Sequence, residues 1–176
     1  MPKLLESAKR IGRKIGLDED KAYVVAIFLA LIIVSATIAG YYLVLRPQAE
    51  QYNTMYLFDA QKKASDYPET LVANQNSTFN VYVDVENHMT TSASYYVQVK
   101  IVKTLPATFP VDAQTSQTVE MGKVNNDGKP VEKMATVTEN ELGSYSVVFE
   151  LYRDNGDGAL VFTQNYCVLN IQVTTN

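Results

Sequence analysis

The chain has 176 residues, with 15 Lys and Arg against 19 Asp and Glu and a formal net charge of −4. Residues 1–21 carry six basic and four acidic side chains, whereas residues 46–176 carry nine and fifteen, so no basic cluster marks the larger part for nucleic-acid binding. One cysteine, Cys167, and one histidine, His88, argue against both an intramolecular disulfide and a structural zinc site.

Residues 1–17 are predicted to form a cytoplasmic amphipathic leader. Leu4, Ala8, Ile11 and Ile15 recur at helical spacing, and the basic side chains occupy the other faces. Such a helix lies on the inner leaflet, whose anionic lipids attract basic groups. The alternative is a solvated tail that only follows the positive-inside rule.

Residues 18–46 are predicted to form one transmembrane helix. The run 22–45 contains 24 residues and no charge. It would extend about 36 Å, which is enough to cross a hydrocarbon core of about 30 Å. The competing interpretation is a signal peptide cleaved near Ala39, but the apolar run is longer than a signal h-region and continues beyond that alanine.

The basic leader predicts the orientation of this helix in a cell membrane. Six Lys or Arg precede the apolar run, whereas Arg46 is alone on the other side until Lys62 and Lys63. By the positive-inside rule, the N-terminus is cytoplasmic and the C-terminal domain is extracytoplasmic.

Small residues line two sides of the predicted helix at steps of four residues. Ala22, Ala26 and Ala30 form one row, and Ala36 and Gly40 begin another. Such rows let a second membrane helix approach closely, and we consider these residues helix-packing candidates. The alternative is that they are ordinary filler in a membrane helix.

After a predicted stalk, residues 47–53, the apolar period changes from 3.6 to 2, which indicates β-strands in residues 54–176. Short strands and turn signals predict an antiparallel immunoglobulin-like β-sandwich of about seven strands. In the last strand the apolar parity changes, which predicts a bulge near Gln164 and Asn165. The predicted strands are 55–59, 77–87, 94–102, 118–124, 131–138, 144–152 and 159–173.

Two Asn-, Asp- and Gly-rich segments, 125–128 and 154–158, are predicted to be hairpin turns that need positive φ. The second superficially resembles a calcium loop. However, Gly156 occupies a position where such a loop needs an oxygen ligand, and no helices flank it. We therefore expect a turn.

The titratable side chains show no catalytic grouping. His88, beside Asn87 at a strand end, is predicted to hydrogen-bond the backbone in a turn rather than to act in catalysis. Asp84 and Glu86 share one polar strand face and are predicted to be solvated. Cys167 is predicted to be a small buried hydrophobe, with an intermolecular bridge as the alternative. We expect no catalytic, metal or cofactor site.

Asn76-Ser77-Thr78 matches an N-glycosylation sequon in a predicted loop on the translocated side. Asn76 is therefore a candidate glycosylation site. Chance matches are frequent in a chain rich in Asn, Ser and Thr.

Four features of the outer part resemble an archaeal family called domain of unknown function 1616, across residues 52–173. They are an opening strand, an Asp66-Tyr67-Pro68 turn, the pair Asn87-His88 ending a Val-rich strand, and a late strand ending in Leu151-Tyr152. The chain departs from the family at Met89, where an acid is frequent, and in having one membrane helix where many relatives have several. The resemblance implies an archaeal envelope protein with an immunoglobulin-like outer domain, and no established activity.

The sequence thus predicts a non-enzymatic, membrane-anchored extracellular interaction module, an accessory or structural subunit of a cell-envelope complex. Its partners would be the lipid bilayer and other membrane or envelope proteins. The alternative is a surface adhesive protein that binds glycans or a surface layer through Tyr82, Tyr96 and Tyr152.

Overall fold

The computed structural model describes residues 19–45 and 50–175. The chain divides into two compact units, Met1–Ala49 and Glu50–Asn176. The predicted leader helix, residues 1–17, and the Arg46 flank lie outside the described residues.

The first unit contains one apolar helix, α1, from Glu19 to Gly40, which continues as a π-helical segment from Tyr41 to Leu45. The segment Tyr23–Leu43 is long and apolar enough to cross a membrane by length and composition. Its large apolar side chains are exposed at consecutive positions, so they point to all sides of the helix. A helix that is apolar all round is stable only when lipid or protein surrounds it.

The second unit is a β-sandwich of two sheets, as the alternating strands predicted. The first sheet has the order β1-β3-β6 and the second has the order β2-β8-β7-β4-β5. The strands are β1 (Asn53–Phe58), β2 (Thr70–Val72), β3 (Thr78–Asn87), β4 (Ala93–Val102), β5 (Thr115–Val124), β6 (Val131–Thr138), β7 (Gly143–Asp154) and β8 (Leu160–Thr174).

The core lies between the two sheets and is built from alternate residues of their strands. In β3, the fully buried apolar positions are Val81, Val83 and Val85. From the other sheet, Tyr95 and Phe149 belong to the same buried cluster. The period-2 pattern of the sequence therefore marks the inner faces of β3, β4 and β7 correctly.

One strand pair departs from the predicted antiparallel arrangement, and the described residues hold eight strands rather than about seven. The three-residue β2 pairs in parallel with β8, from Thr70 opposite Gln172 to Val72 opposite Thr174. The two strands lie far apart in the chain, so no hairpin forces them to be antiparallel. A three-residue strand also carries too little alternation to be detected.

The turn at residues 125–128 is not a hairpin, so that prediction was wrong. It connects β5 and β6, which are edge strands of different sheets, although Gly128 does adopt φ of 69°. The other predicted hairpin, between β7 and β8, is confirmed by the pairing of Asp154 with Leu160. The predicted bulge is also confirmed: the register shifts opposite Leu151, and Gln164 has φ of 66°.

His88 and Tyr52 hold the start of the domain together, and this corrects two predictions. The rings of Tyr52 and His88 stack with centroids 4.5 Å apart, and the backbone N–H of His88 donates to the carbonyl of Tyr52. Tyr52 therefore belongs to the folded domain rather than to the predicted stalk. The His88 ring pairs with Glu86 at 3.0 Å instead of binding the backbone, because the ring lies against Tyr52 and Gly128.

Asn87 performs the turn role that was predicted for its neighbour. Its side chain is fully buried and donates to the carbonyls of Thr91 and Val124, while its Oδ1 accepts from the N–H of Met89. The amide thus satisfies three backbone groups where β3 ends and β5 ends.

We predict that Asn87→Ala lowers the free energy of unfolding by about 2–3 kcal/mol, because it leaves buried backbone groups without partners. The matched control is Asn125→Ala at an exposed position, which should change stability little. Urea denaturation of the detergent-solubilised chain measures both. Equal midpoints for the two variants would contradict the structural role of Asn87.

Candidate interaction surface

The outer face of the five-stranded sheet carries a group of aromatic side chains, which we call the platform: Tyr96, Tyr152, Phe162, Tyr166 and Phe109. Cross-strand partners share one face of a sheet, and Tyr152 lies opposite both Tyr96 and Phe162. The Tyr152 and Phe162 rings are 5.6 Å apart at their centroids. Tyr166 is 46% exposed and Tyr152 only 9%, so the platform is accessible from solvent mainly at Tyr166.

The loop 103–114, between β4 and β5, covers part of this outer face. Its Phe109 ring stacks on Tyr166 with centroids 3.6 Å apart. Its Val111 is buried, and so is Val148, which lies on the outer face of β7. The loop therefore adds a second apolar layer to a sheet face that would otherwise be wet.

A buried ion pair fastens the loop to the sheet. Lys100 Nζ lies 2.8 Å from Glu150 Oε2, and the two residues are 5% and 0% exposed. Lys100 Nζ also donates to the Val111 carbonyl at 2.7 Å, and the Val111 N–H donates to Glu150 Oε1. Each charge is thus paired and hydrogen-bonded, the condition under which buried charges are tolerated.

The same carboxylate holds the central tyrosine of the platform. The Tyr152 hydroxyl donates to Glu150 Oε2 at 3.0 Å, and Lys100 Nζ lies 5.9 Å from the ring centroid. Burial, followed by the hydrogen bond and the charge of Glu150, raises the pKa of Tyr152 well above its usual range. The hydrogen bond to Glu150 therefore fixes the position of the Tyr152 ring within the platform.

Beside this surface runs an open, polar groove of about 800 Å³. One wall is the turn that precedes β2, and the other is formed by neighbouring residues of β7 and β8. Its lining includes the hydroxyl and amide side chains of Ser144, Ser146, Asn170 and Gln172, together with charged and apolar residues. Ser146 and Asn170 lie opposite each other and are hydrogen-bonded at 2.9 Å.

The structure brings together two of the three tyrosines predicted for surface binding. Tyr96 and Tyr152 are cross-strand neighbours on the platform. Tyr82 lies in the other sheet, where Lys62 Nζ is 4.9 Å from its ring centroid. The three tyrosines therefore lie on two separate surfaces. The sequence pattern predicts which face of a strand a residue occupies, but it does not predict which sheet the strand joins.

Asp84 and Glu86 are half-buried rather than solvated, so that prediction needs correction. Glu86 accepts from Thr54 at 3.2 Å and pairs with His88. Burial, then the nearby charge of Glu132, raises the pKa of Asp84. The paired strands bring Thr54, Tyr56 and Glu132 over these carboxylates, which removes them from water.

The structure places Cys167 on the inner side of β8. It is half-buried, packs against the core and has a pKa raised by burial. Its Sγ lies 3.7 Å from the Met55 carbonyl, so it behaves as a core-edge hydrophobe.

The glycosylation candidate, Asn76, is exposed in the turn after β2, where its backbone pairs with Val72. Exposure is the access that a glycan would need.

The helix-packing candidates lie along α1: Ala26, Ala30 and Ala36 are exposed, and nothing lies within 4 Å of a Cβ built on Gly40. Ala22 is also in α1, but its side chain is not among those that the structure describes.

Sequence reasoning missed the Lys100–Glu150 pair, Phe109 and Tyr166. The available signal was a Lys and a Glu inside two of the most apolar strands, because such charges are seldom buried without a partner. Fifty positions separate Lys100 from Glu150, so only the register of β4 and β7 reveals that they meet.

No protein-family model and no curated protein matches the chain. Among solved structures, a CARDB domain from Pyrococcus furiosus in complex with di-metal ions is 12% identical, with a TM-score of 0.45 over 70% of this chain and 89% of that one. The solution NMR structure of that CARDB domain is 11% identical, with a TM-score of 0.46 over 72% and 100%. A β-glucosidase from Listeria innocua is 11% identical, with a TM-score of 0.45 over 72% of this chain and 16% of that one.

At these TM-scores the likenesses carry no argument about function. The resemblance to the domain of unknown function 1616 stays a prediction.

We predict that Glu150→Ala lowers the free energy of unfolding by about 3–5 kcal/mol, because it leaves Lys100 buried without a counter-ion. The matched control is Glu141→Ala, which breaks the exposed pair between Lys103 and Glu141 and should have little effect. Thermal denaturation followed by circular dichroism measures both variants. Similar melting temperatures for the two would show that the pair does not fasten the loop.

Proposed function

We propose that this chain is a membrane-anchored, non-enzymatic interaction module with an extracytoplasmic immunoglobulin-like domain. The observation that carries the proposal is the platform: a group of aromatic side chains, with Tyr166 exposed, on a sheet face whose covering loop is fastened by a buried ion pair. Aromatic residues are enriched at the centre of protein interfaces, and a rigid surface loses little conformational entropy on binding.

The apolar helix supports the anchoring part of this proposal. Its exposed apolar side chains need lipid around them, and the segment Tyr23–Leu43 has the length for one crossing. The basic residues before it favour a cytoplasmic N-terminus and a signal anchor rather than a cleaved signal peptide. In that orientation the β-sandwich, with Asn76 as a candidate glycosylation site, lies outside the cell membrane.

The strand order supports the immunoglobulin-like assignment. The sheets β1-β3-β6 and β2-β8-β7-β4-β5 correspond to strands A-B-E and A′-G-F-C-C′ of an immunoglobulin-type sandwich. In such domains, function depends on surfaces added to a shared scaffold, so the platform rather than the fold suggests what is bound.

The partner that we propose is another protein of the membrane or envelope, so the chain would act as an accessory or structural subunit. The small-residue rows of α1, formed by Ala22, Ala26 and Ala30 and by Ala36 and Gly40, would add contacts between membrane helices. An archaeal source, as the family resemblance implies, is part of this proposal.

A second candidate is a surface adhesive protein that binds glycans or a surface layer. The polar groove favours it, because its Ser, Asn and Gln side chains offer both donors and acceptors to sugar hydroxyl groups. The tyrosines Tyr96 and Tyr152 lie on the same face of the sheet and would provide the apolar contact.

We predict that a membrane-impermeant protease, added to intact cells, removes a C-terminal mass of roughly 130 residues and spares an N-terminal tag. The connection before Tyr52 should be cut first, since ordered strands resist cleavage. Immunoblotting against tags at both ends measures the outcome. Loss of the N-terminal tag with protection of the C-terminal one would reverse the proposed topology.

We predict that Tyr166→Ser lowers the amount of co-purifying envelope protein by about tenfold or more, the loss typical of a central aromatic contact. The matched control is Tyr56→Ser on the other sheet, since Tyr56 is 48% exposed against 46% for Tyr166. Quantitative mass spectrometry after purification in mild detergent measures both.

Equal losses in the two tyrosine variants would contradict the platform as the binding surface. A clean monomer from the unaltered chain would contradict the subunit proposal. If that monomer were retained on purified cell-wall polysaccharide, the second candidate would be favoured.

A further inference from the structure

We propose that the loop 59–66, between β1 and β2, binds a hard divalent cation of the calcium class through Asp59 and Asp66. Both residues line one solvent-open pocket of about 380 Å³, together with Thr78 and Asn80. The site is separate from the platform and does not depend on its function.

The first observation is the state of the Asp59 carboxylate. The residue is only 3% exposed. Its Oδ1 accepts hydrogen bonds from the N–H groups of Gln61 and Lys63, at 2.9 and 2.7 Å. Its Oδ2 is also buried, and no group in residues 19–45 or 50–175 donates to it. One oxygen is therefore saturated, while the other lacks any partner.

A buried carboxylate with hydrogen-bond partners on only one of its two oxygens is energetically unfavourable. Burial of a charged group is unfavourable unless it is paired, hydrogen-bonded or bound to a metal. Glu150, the other carboxylate residue that is almost fully buried, has partners on both oxygens, whereas Oδ1 of the half-buried Asp84 also lacks a partner among the described residues. Asp59 has the same need but meets only half of it with the described residues, and a bound cation would supply the missing partner, as would ordered water.

The chemistry of the pocket selects the class of that ligand. Asp66 supplies a second carboxylate from an exposed position, where Ser65 donates to its Oδ2 at 3.3 Å. Thr78 and Asn80 contribute neutral oxygens at the same pocket. Oxygen donors suit calcium or magnesium, whereas zinc favours nitrogen and sulfur.

The number of charges sets the expected strength of binding. In the described ranges no three His, Cys, Asp or Glu side chains converge as a metal cluster. The site would therefore combine two carboxylates with neutral oxygens and water, for which the open pocket has room. Extracellular calcium modules of low charge bind with dissociation constants on the order of 0.1–1 mM. Binding of this strength fits an outer domain exposed to millimolar calcium.

Thermal denaturation of the full chain in detergent tests the proposal. In about 10 mM CaCl₂ we expect the melting temperature to rise by about 3–6 °C relative to KCl of equal ionic strength. Magnesium should have a smaller effect, because it loses its water shell reluctantly. Terbium, a luminescent stand-in for calcium, should show tyrosine-sensitised emission that calcium competes away, since Tyr67 also follows Asp66 in this loop.

The substitution Asp59→Asn keeps an Oδ1 acceptor and removes the charge, so it should abolish both responses. Asp66→Asn, at an exposed residue with φ of 63° that Asn tolerates, should weaken them without affecting the fold. The matched control is Asp112→Asn, at an exposed position elsewhere, which should respond as the unaltered chain does. No calcium response, or the same response in all four proteins, would overturn the proposal and assign the Asp59 oxygen to ordered water.

Discussion

The apolar layer between the two sheets is the contact that holds the β-sandwich together, because a chain with one cysteine has no internal disulfide. Its members come from every strand of the first sheet and from all five of the second. At about 25 cal/mol per Å² of buried apolar surface, such a layer is the dominant favourable term in folding. The alternation of residues that forms this layer also points every second side chain outward. Residues that bind a partner are therefore expected on the outer faces of the sheets.

The outer faces of the two sheets place these outward side chains in different environments. On the three-stranded sheet, part of the outer face is polar and half-buried, as in the chain of contacts from Thr54 through Glu86 to His88. On the five-stranded sheet, the loop 103–114 covers the centre, and the pair Lys100–Glu150 becomes fully buried beneath it. Burying this pair costs desolvation energy, which the Val111 and Tyr152 hydrogen bonds offset in part. The result is an aromatic face beside the covered area, with Tyr152 hydrogen-bonded to Glu150.

The sequence predicts the features that depend on local pattern. The apolar helix, the strand-rich outer part, the bulge at Gln164 and the turn between β7 and β8 all follow from the period of apolar residues or from turn chemistry. The sequence does not predict the features that depend on pairing between distant strands. The turn at residues 125–128 joins different sheets, and the polar parity of Asp84 does not make that residue solvated, because neighbouring strands cover it.

The buried polar residues show why the candidate sites escaped prediction. Asn87, Glu150 and Asp59 are polar residues in or just after apolar strands, and in the sequence they look alike. The fold separates them by their partners: Asn87 and Glu150 use their side-chain oxygens fully, whereas Asp59 uses one. A buried polar group without a partner is destabilising by about 1–3 kcal/mol, more if it is charged. A fold keeps such a group more readily where an external ligand completes it, and on that ground Asp59 differs in kind from the other two.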